Sequence, residues 1–157
     1  MYIRDYTFSD KKETVKMIKQ TIQEVNKNDY NKKQIVAWSS VDEYSWRASL
    51  KGHSAVVMVN DRNNEIIGFA DMDNNGYLDQ LFVHKDFQNQ TIASKLIDYL
   101  EKSIQSKKFS TFASITAKPF FIARGYEVIR TNIVSLRGQQ FKNYYMEKIN
   151  ENNSLYN

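Results

Sequence analysis

The stretch LFVHKDFQNQTIAS, residues 81–94, decides how this chain folds. Its apolar start, LFV, ends a predicted strand over residues 77–83, and a polar turn leads into a helix predicted over residues 91–106. Such a helix start presents unpaired N–H groups and the positive end of the helix dipole, which together favour an anion. The spacing is equally compatible with an ordinary strand–loop–helix crossover that binds nothing.

The elements on either side of this stretch predict a mixed α/β fold with one sheet. Asp10 and Glu13 have the spacing of a capping box, which predicts a helix that starts there. Three strands separated by short turns predict an antiparallel meander, and the return over the long helix requires a parallel step. Strands are predicted at 2–8, 54–60, 65–72, 77–83, 112–115, 126–135 and 141–149, and further short helices at 33–38 and 117–124.

Length and composition indicate one soluble domain over residues 1–157. The chain is 41% hydrophobic and 25% charged, which is typical of a globular protein. No apolar segment is long enough to span a bilayer, and the N-terminus lacks the pattern of a signal peptide, so we expect a cytoplasmic protein. With no cysteine and two histidines, the composition predicts no structural metal site.

The net charge of +4 raises the question of a nucleic-acid partner. The lysines occur as isolated pairs between acids and amides, and no block of five or six like charges is present. We therefore expect ordinary surface solvation, with neither a nucleic acid nor a membrane as partner. A small nucleic-acid binder remains the alternative, and salt-dependent affinity for DNA is its distinguishing property.

The junction at 81–94, with several other segments in order, resembles the GNAT N-acetyltransferases. Gln88 and Ala93 match the family's Gln/Arg-x-x-Gly-x-Gly/Ala motif in the acetyl-coenzyme A site, and Thr91 stands at the position of its first glycine. Residues 67–70 match its central strand, and residues 117–126 match its late helix–strand unit. This resemblance implies a mixed, mostly antiparallel central sheet of six to seven strands, flanked by about four helices.

The resemblance implies an enzyme that moves an acetyl group from acetyl-coenzyme A directly to a primary amine. Acetyl-coenzyme A would then be a co-substrate, with no metal required. The strand backbone would bind the pantetheine arm and the acetyl carbonyl, and the helix N-terminus would bind the pyrophosphate. The positions that carry these roles are Leu81, Phe82, Val83, Asn89, Gln90, Thr91, Ile92, Ala93, Ser94, Ser114 and Phe121.

Three positions depart from the family pattern. Thr91 stands at the motif's first glycine, where a glycine allows positive φ or close approach of a phosphate. Phe121 stands where many members have a tyrosine that protonates the leaving thiolate, and Ser114 replaces a frequent asparagine. These changes motivate an alternative function, a catalytically weak or inactive acyl-coenzyme A-binding sensor of the same fold.

Asp79 is our first candidate for the catalytic base. Strand alternation predicts that Asp79 shares a face with Leu81 and Val83. A solvated or salt-bridged strand carboxylate is the alternative for Asp79. Tyr145, on the last strand, is a second candidate as proton donor or acceptor, and half-buried sheet packing is its alternative.

The acceptor side carries less pattern. Trp38, Tyr44 and Trp46 are candidates for an acceptor wall, with core packing as the alternative, and His84 is a further candidate for contact with the coenzyme. The acceptor is either a small-molecule amine or an amine of a peptide or protein. The sequence leaves the oligomeric state open, with a homodimer as one candidate.

Overall fold

A computed structural model describes residues 1–151, apart from the side chain of Glu43. In this part of the chain, seven strands form one sheet and five α-helices pack against it. The strands are β1 (Tyr2–Asp5), β2 (Ser54–Asn60), β3 (Glu65–Met72), β4 (Tyr77–Val83), β5 (Lys108–Ala113), β6 (Glu127–Leu136) and β7 (Gln139–Ile149). The helices are α1 (Lys11–Val25), α2 (Lys32–Ser39), α3 (Glu43–Ser49), α4 (Ile92–Ser103) and α5 (Lys118–Ala123).

The sheet has the strand order β1-β2-β3-β4-β5-β7-β6. Strands β2, β3 and β4 form the predicted antiparallel meander, and β4 pairs with β5 in parallel across α4. The other neighbours, β1 with β2, β5 with β7 and β6 with β7, are antiparallel. The predicted fold class and its parallel step are therefore confirmed.

Hydrophobic side chains fill both sides of the sheet. The predicted apolar stripe of α4 is buried against one face, where Leu96 and Leu100 contact residues of β2 to β5. On the other face, α1 and α3 cover Val57, Phe69 and their neighbours. The sheet is thus the middle layer, with α4 on one side and α1 to α3 on the other. None of the helices in residues 1–151 is long and apolar enough to cross a membrane.

The predicted capping box of Asp10 with Glu13 is wrong. Asp10 instead accepts a hydrogen bond from the Thr7 N–H at 2.8 Å and pairs with Arg4 at 2.7 Å. Glu13 accepts from the Ile66 N–H at 2.9 Å. Asp10 thus belongs to a capping box that begins three residues earlier, at Thr7, and Glu13 joins the helix to β3 instead of to Asp10.

Other differences concern element bounds, and β1, predicted over residues 2–8, ends at Asp5. Strand β5 occupies Lys108–Ala113 rather than 112–115, since β4 and β7 supply hydrogen-bond partners to polar residues that local propensity disfavours in a strand. Beyond it, Ser114 Oγ accepts from the Ala117 N–H at 3.0 Å, which turns the chain into α5. Helix α3 follows an Asp42 cap that sequence reasoning missed, with the Tyr44 N–H donating to Asp42 Oδ1 at 2.9 Å.

Candidate active site

A cleft of about 840 Å³ opens where β4 and β5 separate. The two parallel strands pair only at Tyr77 with Ser110 and at Leu78 with Thr111. Beyond these pairs β4 continues alongside β3 through Val83, so its side facing β5 has no strand partner. The cleft therefore has a wall of open strand backbone, which an extended ligand can follow as an additional strand would.

The N-terminus of α4 forms one end of this cleft. Asn89 and Thr91 before the helix have φ of 61° and 64°, a left-handed conformation that is rare for a residue with a side chain. No side chain caps the first turn, so the N–H groups of Ile92, Ala93 and Ser94 have no partner within the helix. Together with the helix dipole, these groups form an anion site.

The opposite wall is built by the β5–α5 junction and by α1's end. Ser114 and Phe121 line it, and Phe121 is only 3% exposed because it also packs into the core beside Tyr126. Tyr30 reaches the same wall from the segment before α2, and its hydroxyl accepts from the Ile115 N–H at 2.9 Å. Burial raises the pKa of Tyr30, which keeps this phenol protonated.

A β-bulge in β4 places Asp79. Asp71 pairs with Gln80 and Met72 pairs with Leu78, which leaves Asp79 without a partner on β3. Leu78, Leu81 and Val83 all pack toward α4, so Asp79 does not share the face of Leu81 and Val83. The alternation prediction for Asp79 is wrong for this reason: a bulge inserts one residue and reverses the order of faces.

Asp79 lies beside two other polar groups. One polar atom each of Asp79, Asp71 and His53 lies within 4.8 Å of the other two. The residue as a whole is exposed, but protein atoms crowd its carboxyl group, and this desolvation raises its pKa. Among the described residues that line the cleft, the charged ones are Asp79 and Lys142, so Asp79 is the single carboxylate there.

The types of these three side chains are also those that bind metal ions, but their spacing indicates hydrogen bonding. His53 Nδ1 and Asp71 Oδ2 are 2.7 Å apart. Two ligands of one tetrahedral zinc ion, each about 2.1 Å from the metal, lie about 3.4 Å apart. We therefore treat the contact as a hydrogen bond.

The sequence profile of one protein family, described as an acetyltransferase (GNAT) domain, matches residues 26–148. The chain belongs to the GNAT acetyltransferase family. A related N-acetyltransferase of Escherichia coli (strain K12), named as uncharacterized YafP, is 32% identical over 144 residues, covering 92% of this chain and 93% of YafP. The resemblance found in the sequence is thereby confirmed, and the chain is an acyltransferase.

Solved structures agree with this assignment. A GCN5-related N-acetyltransferase from Rhodopseudomonas palustris superimposes with a TM-score of 0.90 at 29% identity, covering 94% of both chains. The PaiA N-acetyltransferase from Thermoplasma acidophilum, solved in complex with coenzyme A, has a TM-score of 0.76 at 17% identity and covers 94% of this chain and 98% of that one. At that identity the second likeness concerns the fold alone.

The GNAT sequence motif and the cleft coincide. Apart from His84, the residues predicted for the coenzyme all line the cleft: Leu81, Phe82, Val83, Asn89, Gln90, Thr91, Ile92, Ala93, Ser94, Ser114 and Phe121. The features of this wall fit acetyl-coenzyme A, with an uncapped helix N-terminus for phosphate and an apolar strand for the pantetheine arm. Thr91 keeps the positive φ that the motif's glycine allows, and its hydroxyl donates to the Gln90 carbonyl oxygen at 2.5 Å.

Other predicted GNAT site residues lie elsewhere. Tyr145 is outside the cleft lining, where its hydroxyl donates to Glu147 at 2.8 Å and the Arg130 guanidinium lies 4.4 Å above its ring. His84 also lies outside the lining and is buried, with its Nδ1 accepting from the Asp86 N–H at 3.0 Å. The roles predicted for Tyr145 and His84 therefore stay predictions, with neither residue in the cleft lining.

The three aromatic candidates separate in the same way. Trp38 lines the cleft, whereas Trp46 is buried against Tyr6 and Phe69, and Tyr44 is 84% exposed. Sequence reasoning missed Tyr30, because no motif joins it to a cleft residue. Its segment lies far along the chain from α5, and only packing brings the two together.

Proposed function

We propose that this GNAT enzyme transfers the acetyl group of acetyl-coenzyme A directly to a primary amine, with Asp79 as general base. The observation that carries the proposal is the position of Asp79. It is the single carboxylate among the described residues of a cleft that also contains the coenzyme motif. The acceptor is an amine of a small molecule or of a peptide or protein.

Different parts of the cleft bind different parts of the coenzyme in this proposal. The free N–H groups of Ile92 to Ser94 hold phosphate, and the unpaired side of β4 holds the pantetheine arm. When bound, acetyl-coenzyme A supplies an acyl carbon, to which the amine nitrogen forms a bond while the carbon–sulfur bond breaks. Asp79 lies on the same strand, at the bulge, and lines the same cleft, which supports a role for it beside the acceptor amine.

Asp79 has the electrostatics that a base needs. An amine is protonated at neutral pH and must lose one proton before it can attack a carbonyl carbon. Desolvation raises the pKa of Asp79, as does the nearby negative charge of Asp73. A carboxylate with a raised pKa accepts a proton more readily than an ordinary one, and its negative charge also attracts a cationic acceptor.

The leaving thiolate also needs a proton, and Phe121 cannot donate one. The attacking nitrogen loses a second proton as the amide forms, and this proton neutralises the thiolate. The products are therefore the amide, the free thiol and the one proton that the base releases to solvent. Tyr30, with its pKa raised by burial, is a protonated phenol on the same wall as Phe121.

A thiol-release assay over a panel of small amines, diamines, amino acids and peptides tests the proposed function. The chain contains no cysteine, so a disulfide reagent reports only coenzyme thiol. We expect amine-dependent thiol release and an acetylated product by mass spectrometry. Acetyl-coenzyme A binding in calorimetry without turnover on any amine favours the sensor alternative, and no binding at millimolar ligand contradicts both.

Asp79→Asn is the decisive variant for the base. We expect kcat/KM for the amine to fall by about 10²- to 10⁴-fold, the usual contribution of a general base, while the affinity for acetyl-coenzyme A stays unchanged. Asp61→Asn is the matched control, because it makes the same chemical change in the turn after β2, where Asp61 pairs with the N-terminus. Unchanged turnover in Asp79→Asn removes Asp79 as base.

A further inference from the structure

Asp71 is a fully buried carboxylate with no role in the reaction proposed above. It lies on β3 with 0% exposure. Its Oδ1 accepts from the Gln80 N–H at 3.0 Å, and its Oδ2 is 2.7 Å from His53 Nδ1. A buried carboxylate is costly unless it is paired, so a group of this kind needs an explanation.

His53 connects this buried carboxylate to the surface. It lies just before β2, outside the cleft lining, and its side chain is 17% exposed. Asp79, which lines the cleft, has a carboxylate oxygen within 4.8 Å of both the His53 ring nitrogen and the Asp71 carboxylate. The three groups therefore form one cluster that joins a cleft carboxylate to a hydrogen-bonded pair of a buried carboxylate and a partly exposed imidazole.

The surroundings of this set favour the protonated form of the two carboxyl groups. Burial is the main cause that raises the pKa of Asp71 to about 7, and the charge of Asp79 adds to it, whereas His53 opposes the rise. Asp73, in the turn before β4, also faces Asp79 and raises its pKa. Tyr77 faces the same carboxylates, and its own pKa is raised by burial and by their charges to about 12.

We propose that His53 and Asp71 form a proton relay that removes the proton from Asp79 after each turnover. The acceptor ammonium gives a proton to the Asp79 carboxylate, the His53–Asp71 pair takes that proton from Asp79, and His53 releases it to solvent. One proton enters and one leaves, and the carboxylate of Asp79 is regenerated. This inference rests on the proposed function, and it makes His53 and Asp71 positioning residues rather than catalytic ones.

The relay gives the proton an exit that does not pass through the cleft. Both substrates occupy the cleft during the reaction, and water is excluded from the reacting atoms as they bind. The partly exposed His53 side chain lies outside the cleft lining. A path through side chains can thus work while the cleft is closed by its ligands.

His53→Ala, assayed with added imidazole, tests the relay. We expect kcat to fall by on the order of tenfold, less than for loss of the base itself, with the KM for acetyl-coenzyme A unchanged. Imidazole restores the rate, and the pH profile of kcat changes shape. Two outcomes contradict the relay and leave a structural role for His53: added imidazole does not restore the lower rate, or the pH profile of the variant matches that of the native enzyme. Asp61→Asn again serves as control.

A carboxyl-carbon NMR titration tests the same coupling without any turnover. We expect Asp71 to titrate with a pKa near the value of about 7 in the native protein. In Asp79→Asn this pKa falls, since one of the causes that raise it is removed, and in His53→Ala it rises. An unchanged Asp71 titration in both variants overturns the relay. If no amine is acetylated, the proposed function fails separately, and this titration still decides whether the three groups share a proton.

Discussion

Thr91 holds a backbone conformation that an L-residue adopts only at a cost. Its φ is 64°, and β-branched residues are rare in this region because Cβ approaches the backbone too closely. Strain of this kind costs on the order of 1–3 kcal/mol and persists where the surroundings require the conformation. At Thr91 the required feature is the turn that exposes the first N–H groups of α4.

Replacing Thr91 with glycine removes this strain. We expect Thr91→Gly to raise the free energy of unfolding by about 1 kcal/mol in urea titrations and to tighten acetyl-coenzyme A binding in calorimetry. Thr91→Ala is the matched control, because it removes the hydroxyl but retains Cβ and its strain. If both variants bind acetyl-coenzyme A more weakly, the hydroxyl contacts the phosphate and the strain argument is wrong.

Individual residues also show where sequence reasoning stopped. The departures at Thr91 and Phe121 could be read directly from the motif, and the structure places both on the cleft. The orientation of Asp79 could not, because one bulge in β4 reverses the strand alternation. A bulge depends on pairing with β3, which local sequence does not reveal.

At the level of elements, the approach of α4 to the sheet depends on Gly68 in β3. A Cβ at this position would lie 2.9 Å from Ile92 Cγ2, 3.0 Å from Leu96 Cδ1 and 3.2 Å from Met58 Cβ. All three contacts are shorter than van der Waals distance. Gly68 therefore lets the first turns of α4 lie directly on the strand, and this contact sets the position of the helix N-terminus.

Gly68→Ala is expected to lower the free energy of unfolding by about 1–3 kcal/mol, the usual cost of overpacking a core. It should also weaken acetyl-coenzyme A binding, since the start of α4 must shift. Urea unfolding and calorimetry measure the two effects. Ile92→Ala removes the atom that the new Cβ would contact most closely. The double variant Gly68→Ala with Ile92→Ala should therefore lose less stability than the sum of the losses in the two single variants. Strict additivity contradicts the steric explanation.

Most elements were predictable because their periodicity is local. The strands at 54–60, 65–72 and 77–83 have the predicted bounds, and the apolar stripe of α4 is buried as its spacing indicates. Strand β5 was misplaced because its polar residues gain stability from two neighbouring strands rather than from their own propensity.

At the level of the whole molecule, the buried Asp71 makes stability depend on pH. Its pKa is raised from 3.8 to about 7 by folding, so the native state holds a proton that the unfolded state has lost. The free energy of unfolding is then highest below the unfolded-state pKa of 3.8, and it falls as the pH rises from there to the folded-state pKa of about 7. Asp10 acts in the opposite direction but at lower pH, because Arg4 lowers its pKa and its contribution is lost only under acid conditions.

We expect the free energy of unfolding to fall by on the order of 2 kcal/mol between about pH 5 and about pH 8, as measured by urea titration. Asp71→Asn retains acceptors and donors for Gln80 and His53 but cannot ionise, so its stability should change much less over the same interval. Asp61→Asn, at an exposed site, should keep the native slope. Equal slopes in the native protein and Asp71→Asn contradict this origin of the pH dependence.

The sequence by itself determined the order of the strands along the chain, the fold class and the GNAT motif at residues 81–94, because each depends on patterns within some 15 consecutive residues. Only the tertiary structure decided how β4 and β5 separate to form the cleft and which polar groups meet there. His53, Asp71 and Asp79 come from the segment before β2, from β3 and from β4, and no spacing links them. Their meeting follows from strand pairing, a bulge and burial, which act between residues that are distant along the chain.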